Sequence, residues 1–328
     1  MNDECGIMKC EAFDEVNDEC GMGAKPSVAL RHSEFSIQHS ALKNKTLIVI
    51  AGPTASGKTA YSIRLAQSLN TVILSADSRQ FYKEMRIGTA APTEKELAQA
   101  KHYFVHHINI EDKYDVADYE RDALQLLEQL FKDHDKVIMT GGSGLFIDAV
   151  CNGMDAMPDI EPIIRQKVEK MFLEGGLQAL QDATQLLDPE YFAIVDQKNP
   201  RRLQRALEVC YQTGQTFTSF RQRNAPKRDF DVEKYALLWD RQELVARIDR
   251  RVELMMQQGL LEEARALYPK RHLNALNTVG YKELFAYFDG QCSLDEAVEQ
   301  IKIHTRQYAK RQMTWLRKDT GYQWIIPE

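Results

Sequence analysis

The chain has no apolar run near the length a bilayer requires, so no membrane-spanning helix is expected. Its first residues, MNDECGIMKCEAFDE, are acidic and lack the basic start and apolar stretch of a secretory signal. The six cysteines, Cys5, Cys10, Cys20, Cys151, Cys210 and Cys292, form no C-x-x-C pair. Cys5, Cys10 and Cys20 lack histidine partners and zinc-like spacing, so free thiols in a reducing compartment are expected rather than a metal knuckle. These absences point to the cytosol. An overall basic charge is missing too: 42 Lys+Arg against 48 Asp+Glu leave a formal net charge of -6. That sum gives no sign of a nucleic-acid partner, although a whole-chain total can hide a local basic face. What is present is 328 residues at 44% hydrophobic content, enough for a full core in one large domain or two smaller ones.

Residues 1–44 read as an extension with no sustained apolar period, and NDECG occurs in them twice, at 2–6 and 17–21. Either it is a poorly ordered tail or the natural start lies at Met8 or Met22. From Thr46 the pattern changes. TLIVIA (46–51), TVILSAD (71–77) and KVIMTGG (136–142) read as buried parallel strands, with helical spacing after the first and over 116–133. Strand and helix in alternation predict a parallel α/β sheet wrapped by helices, of the P-loop NTPase type. After Pro158 the β signal fades. Helical periodicity covers 160–174, 176–187, 199–213 and 241–268, broken at Gly175-Gly176, Asp188-Pro189 and Asn199-Pro200. This predicts a core over 45–158 and 230–328 with a mainly helical insert at 159–229. KYALLWD (234–240) is expected to return to the sheet, and a basic helix to span about 295–318.

Gly52-Pro53-Thr54-Ala55-Ser56-Gly57-Lys58-Thr59 fits G-x-x-x-x-G-K-[ST] in full, between a strand and a helix. Glycines let consecutive N–H groups turn toward phosphate oxygens, and the helix N-terminus adds its positive end. Lys58 supplies a mobile charge, and the Thr59 hydroxyl can sit on Mg²⁺. An ATPase or GTPase usually adds an acidic residue at the end of a neighbouring strand. Here VIMT runs into Gly141-Gly-Ser-Gly144 instead, and Asp77 is the one carboxylate at the carboxyl edge, where ligands bind in open α/β sheets. One acid, one phosphate loop and a glycine turn suggest group transfer from a phosphorylated donor rather than hydrolysis.

Four motifs in order, GPTASGKT (52–59), DSRQFYKEMRIGTAAP (77–92), TGGSGLFI (140–147) and NTVGYKEL (277–284), resemble the tRNA dimethylallyltransferase (isopentenyltransferase) family. QYAKRQMTWLR (307–317) adds a fifth, and the resemblance runs from about Lys45 to Arg317. The family transfers the dimethylallyl group of dimethylallyl diphosphate to N6 of the adenosine beside the anticodon, with Mg²⁺ assisting as diphosphate leaves. The resemblance implies that Asp77 accepts the N6 proton and that Asp77, Ser78, Arg79 and Gln80 contact the target adenosine. Ser143 stands where many members have threonine. Arg251 matches the arginine that binds the donor diphosphate, and Arg247, one turn away, is a weaker candidate. ATP, the ligand the loop motif by itself would name, is the one least expected.

Charge by segment supports a nucleic-acid face. Residues 198–251 hold 13 Lys+Arg against 7 Asp+Glu, and residues 302–318 hold 6 basic residues and no acidic one. The resemblance assigns tRNA contacts to Arg165, to Arg201, Arg202, Leu203, Gln204 and Arg205, and to Asn277, Thr278, Val279, Gly280, Tyr281 and Lys282. The partner it implies is a tRNA anticodon stem-loop whose target base must leave its stack to be reached; a monomer is implied as well. Departures from the family pattern are TAAP (89–92) for the common TAKP, and Phe146 for a common tyrosine. No C-terminal zinc finger of the eukaryotic kind is present, so the bacterial form is implied. The alternatives are a small-molecule P-loop kinase, an adenylate isopentenyltransferase, and a non-catalytic RNA-binding protein with a relic loop. The basic segments, the long helical insert and the intact Lys58, Thr59, Asp77 and Arg251 argue against them.

Overall fold

A computed structural model describes residues 45–221 and 227–327. The extension at 1–44 lies outside the described residues. Six parallel strands form one sheet in the order β3-β2-β4-β1-β5-β6. They are β1 (Thr46–Ala51), β2 (Ile73–Ser75), β3 (His102–Tyr103), β4 (Lys136–Gly141), β5 (Asp231–Leu237) and β6 (Tyr322–Ile325). The central strand β1 is buried along its whole length, as a parallel strand covered on both faces must be. Leu47, Val49 and Ala51 join a core cluster on one face; Ile48 and Ile50 join another with Ile63 and Ala66 on the other.

Helices α1 (Lys58–Leu69), α2 (Glu94–Leu97), α3 (Val116–Asp133) and α4 (Gly144–Asn152) belong to the first part of the sheet. Helix α3 starts where its sequence says it should. The Asp115 side chain accepts from the Ala117 and Asp118 amides, and the Asp118 side chain accepts from Asp115 N, so three orphan donors are satisfied at once. Next come α5 (Pro162–Leu187), α6 (Pro189–Ile194), α7 (Pro200–Thr213) and α8 (Phe217–Phe220). They pack around two apolar clusters of their own, one on Val168, Leu180, Leu203 and Leu207, the other on Ile160, Tyr191, Ala206 and Val209. Arg228 then ties the returning chain to the core, donating to Glu120 at 2.5 Å and to the Val150 carbonyl at 2.9 Å. Helices α9 (Arg241–Gln257), α10 (Leu260–Leu267), α11 (Tyr281–Phe288) and α12 (Leu294–Leu316) complete the chain before β6.

Three boundaries differ from the sequence reading. The run 241–268 is two helices, because Gly259 adopts a left-handed conformation (φ 102°) between α9 and α10. The strand predicted at 234–240 lies at Asp231–Leu237, pulled toward its N-terminus by full pairing with β1. The edge strands β3 and β6, two and four residues long, carry too little pattern to stand out. The break at Gly176 (φ 63°) is where the double glycine predicts it. Among the described residues, no helix is long and apolar enough to cross a membrane.

Candidate active site

Loops leaving β1, β2 and β4 meet at the carboxyl edge of the sheet. Because β4 lies between β1 and β2, its glycine turn separates the 52–59 loop from the Asp77 segment. Within the 52–59 loop, Ala55 (φ 62°) and Gly57 (φ 85°) are left-handed, and Gly57 starts α1 without a side-chain cap. The first amides of α1 are therefore open to an anion, on the positive end of the helix. Ser56 turns its side chain inward and is fully buried, so only its backbone lines the loop. Lys58 folds back over the loop, its ammonium donating to the carbonyls of Gly52 at 2.9 Å and Pro53 at 2.8 Å. Burial pulls its pKa down to about 8; nearby Asp77 opposes that fall and Arg251 adds to it.

Three residues outside the loop hold it in shape. Gln312 of α12, buried, accepts from Thr54 N at 2.8 Å and donates to the Gly142 carbonyl at 2.9 Å. A Cβ on Gly142 would fall 2.2 Å from that amide nitrogen, so a larger residue there would displace Gln312 from the loop. On the other flank, Arg247 donates from Nε to the Ala55 carbonyl at 2.9 Å and lies 4.0 Å over the Trp239 ring. The Trp239 indole N–H in turn reaches the Ser56 carbonyl at 2.9 Å. Arg247 thus braces the loop backbone, while Arg251 brings a partly buried guanidinium beside the loop. The latter donates weakly to Thr54 Oγ1 at 3.3 Å and to the Ala90 carbonyl at 3.4 Å, and forms no salt bridge among the described residues. Burial depresses its pKa, with Asp77 and Glu96 opposing. Two partly buried cations with no salt-bridge partner among the described residues suit an anion.

The opposite side of the edge is polar. Asp77 Oδ1 accepts from Arg79 N at 3.1 Å, which fixes the carboxylate at the turn after β2. Ser143, at the N-terminus of α4, accepts from Ser78 N at 3.1 Å and donates to Ser78 Oγ at 3.3 Å. The Tyr308 side chain of α12 lies beside Ser143; burial first, then the Asp77 charge, push its phenol pKa well up. Gln80 points back to the carbonyls of Thr89 (3.4 Å) and Ala90 (3.3 Å). Arg79 directs its guanidinium away, to the carbonyls of Asn274 (3.1 Å) and Ala275 (3.0 Å).

The structure gathers the 52–59 loop, Asp77, Ser143 and Arg251 at one edge. The residues assigned to nucleic acid are spread over α5, α7 and the segment before α11. Arg165, Arg201, Arg202, Asn277 and Lys282 are exposed, and Gln204, Arg205, Thr278 and Val279 partly so. Leu203, Gly280 and Tyr281 are buried, so the Leu203 and Tyr281 side chains face the interior rather than solvent. Leu203 packs with Leu207 one turn on, facing inward from α7, and Tyr281 donates to Glu263 at 2.7 Å. Sequence reasoning missed Gln312, Tyr308 and Trp239 as site residues. The first two lie in QYAKRQMTWLR, four apart and so on one helix face, which is the signal that was there to read.

The 52–59 loop, two partly buried cations and a carboxylate lie on one edge of a parallel sheet in an α/β protein of P-loop-like fold. The IPP transferase family model matches residues 80–319. A tRNA dimethylallyltransferase 1 of Phocaeicola vulgatus is 51% identical over 283 residues, 86% of this chain and 94% of that one. A tRNA dimethylallyltransferase of Christiangramia forsetii is 51% identical over 279 residues, 85% and 92% of the two chains. Among solved structures, the full-length tRNA isopentenylpyrophosphate transferase of Bacillus halodurans matches at 33% identity and a TM-score of 0.64, covering 86% and 90%. A eukaryotic dimethylallyltransferase acting on tRNA matches at 26% identity and a TM-score of 0.70, covering 83% and 70%. The chain belongs to the IPP transferase family and is a transferase.

Proposed function

We propose that the protein transfers the dimethylallyl group of dimethylallyl diphosphate to N6 of the adenosine 3′-adjacent to the anticodon in tRNA, releasing diphosphate. The observation that carries this is geometric: Arg251 donates to Thr54 of the loop and to the Ala90 carbonyl, which Gln80 of the Asp77 segment also reaches, so the loop, the arginine and the carboxylate segment share one edge. A donor diphosphate held by the loop would present its C1 to an amine beside Asp77. An exocyclic adenine amine is a weak nucleophile, and a carboxylate in reach of its proton strengthens it as the C–N bond forms. Asp77 takes that proton while the C–O bond to diphosphate breaks. Lys58, Arg251 and the open amides of α1 neutralise the charge that grows on the leaving oxygen. Ser143, which is hydrogen-bonded to Ser78, would hold the adenine edge.

Thr59 is the residue that would hold Mg²⁺, and its hydroxyl has no protein partner among the described residues. One protein oxygen suits an ion that keeps several waters and binds mainly through substrate phosphates. When bound, the ion supplies further charge neutralisation on the diphosphate. The tRNA is expected to lie across exposed Arg165, Arg201, Arg202, Asn277 and Lys282, with the target base extruded toward Asp77.

The test offers purified protein labelled dimethylallyl diphosphate with either undermodified tRNA or AMP. Label on tRNA is the expected result. Label on AMP alone would make the protein an adenylate isopentenyltransferase. Phosphate transfer from ATP to a small acceptor, with label on neither, would make it a kinase.

A further inference from the structure

Glu263 of α10 is a half-buried carboxylate that accepts four hydrogen bonds. Oε2 takes the amides of Arg86 at 3.0 Å and Ile87 at 2.8 Å; Oε1 takes the Gly88 amide at 2.8 Å and the Tyr281 hydroxyl at 2.7 Å. Three consecutive amides converging on one carboxylate fix the orientation of the 86–88 backbone. Tyr281 locks it from the other side, because a Cβ on Gly88 would fall 2.5 Å from the phenol ring. The turn then closes on itself. Thr89 Oγ1 donates to Met85 O at 2.6 Å, Ala90 N to Ile87 O at 2.8 Å, and Ala91 N to Arg86 O at 3.1 Å. Its end point is the Ala90 carbonyl, held in a left-handed residue (φ 46°), which receives both Arg251 and Gln80.

Arg251 has two protein hydrogen bonds, one to Thr54 Oγ1 and one to this carbonyl, and both are long. Its aim therefore depends on where Ala90 O stands, and that depends on the carboxylate under the turn. We infer that Glu263 is a positioning residue for the donor diphosphate, acting through the 86–90 turn on the Arg251 guanidinium. Without it, three amides and a buried hydroxyl lose their acceptor, the turn relaxes, and Arg251 loses one of its two anchors. This rests on the reading that Arg251 binds the diphosphate.

The experiment is a double-mutant cycle read in steady-state kinetics, with donor KM, tRNA KM and kcat measured for wild type, Glu263→Ala, Arg251→Gln and the double variant. Glu263→Ala is expected to raise donor KM about 10-fold and change tRNA KM less than about 2-fold; added to Arg251→Gln it should change donor KM by less than about 2-fold, since neighbouring sites sharing one interaction are not additive. A full multiplicative effect on top of Arg251→Gln, or an unchanged donor KM in Glu263→Ala, overturns the inference. If Arg251→Gln by itself leaves donor KM unchanged, the underlying reading of Arg251 fails instead. Circular dichroism and thermal melting accompany each variant. Should Glu263→Ala not fold, Glu263→Gln takes its place: it keeps one acceptor oxygen, and a smaller rise in donor KM with the same non-additivity is then expected.

Discussion

Placing an ammonium group behind the 52–59 loop makes diphosphate affinity depend on pH in a way that can be worked out in advance. Lys58 has a pKa near 8 in the ligand-free protein, against an ordinary value of 10.5, because burial disfavours its charge. A bound diphosphate supplies the missing counter-charge and raises that pKa. Below pH 8 the lysine is already protonated and binding takes up no proton; above it, each binding event must. At pH 7 about nine-tenths of the lysine is charged and at pH 9 about one-tenth, so affinity should fall about 10-fold between them. The same shift has a stability counterpart. The folded protein binds fewer protons at this site than the unfolded chain between pH 8 and 10.5, so this one group contributes stability that rises with pH across that window. Below pH 8 its penalty is on the order of 3 kcal/mol, and replacing it with methionine should remove that penalty.

The assay is calorimetric titration of dimethylallyl diphosphate without tRNA and without divalent cations, at half-unit steps from pH 7 to 9. This ligand suits the range because a phosphate monoester's last ionisation lies near about pH 6. Lys58→Arg, charged throughout, is the control and should show a flat profile. Affinity independent of pH in the wild type, or an equal fall in Lys58→Arg, would refute the reasoning.

Three further outcomes are expected. Asp77→Ala should keep tRNA binding in a filter assay and lose turnover by about 10²- to 10⁴-fold, the span of a lost general base; turnover near wild type would remove Asp77 from that role. Gln312→Ala leaves the Thr54 amide and the Gly142 carbonyl without their partner, and denaturant unfolding should record a loss of about 2–4 kcal/mol. A loss under about 0.5 kcal/mol would mean that water replaces the amide. Arg201→Ala with Arg202→Ala should weaken tRNA binding and lower the slope of log K against log salt by about 1–2, as expected for lost phosphate contacts. An unchanged slope would place the anticodon stem elsewhere.

The parts of the molecule written locally were the parts that sequence made legible. TLIVIA, KVIMTG and the helix over 116–133 appear where their pattern put them, because burial on both strand faces and a capping box are decided within a few residues. The 52–59 loop and Asp77 were legible for the same reason. What escaped was long-range or subtractive. Nothing near Thr54 announces that Gln312 will take its amide, or near Gly88 that Glu263 will. Leu203 and Tyr281 sit inside motifs matched as contact segments, but helix phase turns Leu203 inward and a carboxylate claims Tyr281. Matching a segment does not say which of its side chains face out.

The bond between Thr54 and Gln312 joins residues 258 positions apart. During synthesis the loop sequence emerges early, while the residue that completes its backbone geometry is added near the end. A chain lacking α12 can contain every residue of GPTASGKT and still lack the contact that fixes the loop backbone. The loop geometry is therefore complete only with α12, the same helix that carries Tyr308 beside Ser143. Both sides of this edge are thus completed by one segment late in the chain.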